Sequence, residues 1–141
     1  MLKIKSWVLA LCLTGASLGV HAAEEVKEHL IIQVSEDSVE RLNAALNAAK
    51  FVQAQYGAPN VEIEIVVFGP GVQTVKYYAP KPLPERVKQE KYNGIRIVVC
   101  DYSMRAAKLR PSDMLRDVSY VPSGVVEIME KEKLGWSYVR P

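Results

Sequence analysis

The sequence predicts an α/β protein, a three-layer α/β/α arrangement with a mostly parallel sheet of about five strands. Three observations carry this. Short β-branched runs alternate with helix-patterned segments along the whole chain. Two of those runs, ending at Phe68 and at Cys100, are wholly apolar in their later parts, as strands covered on both faces are. The length, 141 residues, bounds the answer at one domain.

Taken in order, His29–Ser35 reads as the first strand. Asp37 is placed to cap the next helix, with Glu40 reaching back as in a capping box. Val39, Leu42, Ala45, Leu46, Ala49 and Val52 then recur at helical spacing, and Gly57 followed by Pro59 ends the helix. Val61–Phe68 is the second strand, and Gly69-Pro70-Gly71 turns the chain at its end. A short helix is expected over Val72–Tyr78 and an extended excursion over Ala79–Pro84. A polar helix follows over Glu85–Tyr92, and Gly94 leads into the third strand, which ends at Cys100. The expected remainder is a helix over Tyr102–Leu109, one turn from Pro111, and a strand over Val118–Val121. A helix over Val125–Lys133, stopped by Gly135, and a terminal strand over Trp136–Arg140 close the chain. Such alternation implies helices on both faces of the sheet.

The amino terminus reads as a signal peptide over residues 1–22. Lys3 and Lys5 precede the mostly apolar Trp7–Val20, and Val20-His21-Ala22 offers small residues at a peptidase site, so the mature domain is expected to span 23–141. Cys12 follows Leu11 and comes too early to be a lipid attachment site. A periplasmic or secreted location follows as an expectation, with no membrane attachment once the signal is removed. Without Lys3 and Lys5, the 18 basic residues fall level with the 16 acidic ones, and nothing points to nucleic acid or an anionic membrane. The mature chain keeps one cysteine, Cys100, and one histidine, His29, too few soft ligands for a zinc site; no metal and no cofactor is expected.

The chain is organised around Gly94–Leu109, where Cys100 stands at the passage from strand to helix. In open α/β sheets that carboxyl edge collects ligands and chemistry. The helix start favours a thiolate there, and the adjoining Asp101, read as the helix cap, opposes one. Arg105 offsets Asp101 if it points back toward the thiol, and Ser103 lies in the same turn. Cys100 has two readings, a reactive thiol or a small buried hydrophobe. Gly69 and Gly71, with Pro70 between them, read as an anion cradle or as a plain turn, and the turn is favoured because proline has no N–H. Ser123-Gly124 reads as an anion site or as a helix cap, and the cap is favoured. Tyr77 and Tyr78 read as a contact patch or a lid. Trp136, Tyr138 and Arg140 share one strand face, either core or subunit contact. No Ser/His/Asp set or acid/base carboxylate pair can be assembled.

The element order, together with VVFGPGV after the second strand, VVC-x-x-S-M at the third, VPSGVVEIM before the last helix and the closing GWSYVRP, resembles the DsrE/DsrF-like proteins over essentially the whole mature chain. The resemblance implies a compact α/β/α fold, a homo-oligomer (trimer or hexamer), and sulfur relay or sulfur oxidation with Cys100 in the place of a persulfide-carrying cysteine. A small sulfur donor or an acceptor protein is the implied partner. The signal peptide and Asp101 depart from the sulfur-relay members. A second reading is a non-catalytic oligomeric binding module in the periplasm, with Cys100 as core.

Overall fold

The computed structural model describes residues 27–141. The proposed signal segment, its cleavage after Ala22 and Cys12 lie outside the described residues. The strands are β1 (Glu28–Val34), β2 (Val61–Val67), β3 (Arg96–Cys100), β4 (Ser119–Val121) and β5 (Ser137–Val139). The helices are α1 (Val39–Tyr56), α2 (Leu83–Tyr92), α3 (Asp101–Ala106) and α4 (Gly124–Lys133). All five strands are parallel, in the order β4-β3-β2-β1-β5.

Connection handedness explains how the helices divide. From β1 to β4 the chain steps steadily toward one edge, so right-handed crossovers place every connection on one face. From β4 it returns across the whole sheet to β5, and the same handedness puts α4 on the opposite face. Accordingly Leu42 and Leu46 of α1, Val87 of α2 and Met104 of α3 share one large core with Ile32, Ile65 and Val99 of the sheet. Among the described residues the second face has α4 alone, over a small core of Ile31, Val66, Val98, Val121, Ile128 and Trp136. Much of α4 and β5 is left in solvent, including Val125, Val126, Met129 and Tyr138.

Several boundaries differ from the expected ones for local reasons. Ser38, not Asp37, caps α1: its Oγ accepts the Arg41 N–H at 3.2 Å and donates to Glu40. Two good capping residues stand side by side, and Ser38 is the one in extended backbone against the first turn. Helix formation after β2 begins at Gly69 rather than Val72, as a 3-10 helix over Gly69–Val75. Gly69 takes a positive φ of 54°, which turns the chain at once, and proline fits the first helical positions. The helix after β3 stops at Ala106 rather than Leu109 because Lys108, with φ 57°, leaves the helical region.

Candidate functional site at the carboxyl edge

Cys100 ends β3 and pairs in register with Val121 at the end of β4. From these two neighbouring strand ends the chain departs in opposite directions, through α3 onto the first face and through α4 onto the second. Adjacent connections that diverge in this way open a crevice at the carboxyl edge, the place where open α/β sheets bind ligands. Cys100 stands at that divergence, buried at the end of β3.

The thiol is also the cap of α3. Cys100 has φ −70° and ψ 114°, outside the helix, and its Sγ accepts the Ser103 N–H at 3.4 Å. Asp101, expected to cap this helix, is instead its first residue. Its carboxylate meets the Arg105 guanidinium at 3.1 Å. Arg105 therefore answers Asp101, one helical turn away, and is not turned to the sulfur. Cys100 is 3 % exposed, so the thiol is shut inside the single chain.

Ser103 ties the loops together. Its N–H goes to Cys100 Sγ, and its Oγ accepts the Gly69 N–H at 2.8 Å. The Gly71 N–H is taken by Ser35 and Phe68 carbonyls. With both donors used and Pro70 lacking one, Gly69–Gly71 is a turn rather than an anion cradle. Gly71 is required there because a Cβ would meet the Val34 carbonyl oxygen at 2.7 Å. Ser123 likewise acts as a cap, its Oγ accepting the Val126 N–H at 3.4 Å. Gly124 lets α4 approach Phe68, whose Cβ would be 2.7 Å from an added Cβ. The Tyr102 N–H donates to the Pro122 carbonyl at 3.2 Å, joining the start of α3 to the start of α4 across the crevice. Phe68, packed against Gly124, and Pro122, bonded to Tyr102, are the neighbours that sequence reasoning missed. Both lie just past strand ends, which was the available signal.

Beyond Ser103 lies a hollow of about 570 Å³, lined by Asp37, Pro70, Gln73, Tyr102 and Ser103 among others. Ser103, which lines it, is the residue whose N–H goes to the sulfur. Tyr77 does not cover this site; it lines a separate cleft of about 730 Å³ with Pro84, Lys88, Arg116 and Tyr120. His29 stacks on Trp136 at 5.0 Å between ring centroids and faces Glu62, a structural role. Arg140 pairs with Glu36 rather than joining a site. Among the described residues no cluster of His, Cys, Asp and Glu could hold a metal, and no helix is long and apolar enough to cross a membrane.

The described residues form an α/β protein with a parallel five-stranded sheet and a buried thiol, Cys100, at its carboxyl edge. The chain belongs to the DsrE/DsrF-like family, whose model matches residues 28–141. A solved structure of the same fold is the MTH1491 protein of unknown function from Methanobacterium thermoautotrophicum. It is 25 % identical, with TM-score 0.75, and the alignment covers 82 % of this chain and all of that one. No curated protein matches the chain. Membership supports a sulfur relay-type role at the level of the family.

Proposed function

We propose that this protein carries sulfane sulfur on Cys100. The observation that carries the reading is the position of the thiol. It lies where two connections diverge from neighbouring strand ends, with its Sγ accepting an N–H from Ser103. A charge-assisted hydrogen bond of this kind strengthens when the acceptor is negative. In the loading step the Cys100 proton goes to solvent, and the thiolate attacks a terminal sulfur of a polysulfide. A new S–S bond forms on Cys100, the polysulfide S–S bond breaks, and the shortened polysulfide leaves with the electron pair. Ser103 and Gly69 position the thiol through their paired hydrogen bonds. Asp101 and Arg105 neutralise one another beside it.

The burial of Cys100 favours a second reading, a non-catalytic oligomeric binding module in which the cysteine is core. One measurement separates the two. Purified protein is incubated with polysulfide and its intact mass read, with Cys100→Ser as control. Addition of one sulfur atom to wild type alone supports the carrier. If the folded protein gains none and Cys100 resists small alkylating reagents, the binding module replaces it.

We also propose that the mature chain begins at Ala23, acts outside the cytoplasm and assembles as a trimer or hexamer. The basic-then-apolar leader supports the first two statements. The apolar area left exposed on α4 and β5 supports the third. Native mass spectrometry of exported material reads subunit mass and number together, and an intact Met1 or a monomer at micromolar concentration overturns the corresponding statement.

A further inference from the structure

Glu64 lies in the middle of β2 on the second face, between Ile31 of β1 and Arg96 of β3. Its side chain is wholly buried. Neither carboxyl oxygen has a hydrogen bond of good geometry among the described residues. Arg96 Nη2 stands 3.0 Å from Oε2, near enough to attract but out of line for a hydrogen bond, and its own side chain is half in water. Above Glu64 lies α4, which presents Lys131 and Glu127. Lys131 Nζ is 3.8 Å from Glu64 and 3.8 Å from Glu127, and it also stands 4.2 Å from the Trp136 ring centroid. One ammonium is thus shared among two carboxylates and an aromatic face. The remaining charged groups on this face, His29 and Glu62, are engaged with each other.

Two carboxyl groups facing one another can be joined by a hydrogen bond only when one of them holds a proton. Burial is the larger influence on Glu64 and lifts its pKa to about 7; Arg96 and Lys131 pull it down, and Glu127 pushes it up again. The proton therefore leaves within the physiological range, and an ionised, fully buried carboxylate must then gain water or partners. The element able to yield is α4, because it is the one helix on this face among the described residues and its outer side is in solvent. Its first turn is continuous with Pro122, whose carbonyl accepts the Tyr102 N–H two residues beyond Cys100, and Cys100 faces the same side of the sheet as Val98 beneath the helix.

We propose that Glu64 is a proton-operated clamp on α4: the helix stays seated while the Glu64–Glu127 pair holds a proton and loosens when the proton leaves, opening the α4 side of the Cys100 crevice. The clamp governs access to the thiol and does not depend on Cys100 carrying sulfur, so failure of polysulfide loading leaves it standing. The test is hydrogen exchange of the full protein at about pH 5 and about pH 8, with rates corrected for intrinsic exchange. In wild type, protection of the α4 amides is expected to fall roughly tenfold more between the two conditions than in Glu64→Gln, which mimics the protonated form. Alkylation of Cys100 by a small reagent, taken as the ratio of wild type to Glu64→Gln, should rise over the same interval. Glu127→Gln serves if Glu64→Gln fails to fold: its amide can donate to ionised Glu64, so α4 protection should persist at about pH 8. Equal loss of α4 protection in wild type and in whichever variant folds overturns the clamp.

Discussion

Replacing Leu46 with alanine is expected to lower the unfolding free energy by about 2–5 kcal/mol, a large part of the roughly 5–15 kcal/mol typical of a domain. Leu46 is fully buried in α1, which packs across β1 and β2 and against α2. The surroundings are a sheet face on one side and a second helix on the other, so a cavity there cannot collapse easily. Ile128→Ala on α4 should cost less: Ile128 retains some exposure and belongs to the smaller core, beneath a helix free to settle. Urea unfolding checks both, with midpoints moving in that order at unchanged slope. A Leu46→Ala midpoint equal to that of wild type would mean that α1 is not the seat of the main core.

What the sequence made legible follows from which interactions are local. The apolar positions of α1 repeat at helical spacing, and Leu42, Ala45, Leu46 and Ala49 are the buried ones. Gly57, Ser123 and Pro70 announced turns and caps by their own backbone chemistry, and each holds that place. The choice between Asp37 and Ser38 was not legible, because both side chains can cap and a difference of one residue decides. Cys100 as cap of α3 was hidden by the adjoining Asp101, a better capping type. Glu64 was hidden more deeply. In VEIEIVVF it looks the same as Glu62, yet Glu62 keeps contact with water while Glu64 has none. The difference is imposed by α4, roughly sixty residues further on, and by the return crossover to β5 that lays it there. Non-local coverage of this kind leaves no periodic trace in a single strand. The site divides in the same way: Cys100, Ser103 and Gly69 were legible as one neighbourhood, but the divergence of α3 and α4 that makes the crevice depends on strand order.

The protein should be most stable at mildly acidic pH and lose stability toward neutrality, opposite to the behaviour of ion-paired carboxylates, whose depressed pKa values favour higher pH. Glu64 binds its proton more tightly folded, at about 7, than at the ordinary 4.5. Between those values the native state holds more protons than the unfolded one, so stability is fully present below 4.5 and falls as pH rises toward about 7. The loss is at most about 3 kcal/mol, and water reaching the loosened helix reduces it. Glu36, held down by its hydrogen bond with Arg140, and Asp113, held down by Arg110, act in the reverse direction. Their folded values are depressed, so their contribution is present above the ordinary carboxylate range and disappears as pH falls through it. Both are half-buried with their partners open to solvent, and their effect is small and screened by salt. Urea unfolding across this range should give a midpoint that declines from about pH 5 to about pH 7.5 in wild type. In Glu64→Gln the decline should disappear, since the amide has no proton to lose, and the variant should exceed wild type above neutrality. Parallel profiles for the two proteins would show that Glu64 is ionised in the folded state throughout, with Arg96 and Lys131 outweighing its burial.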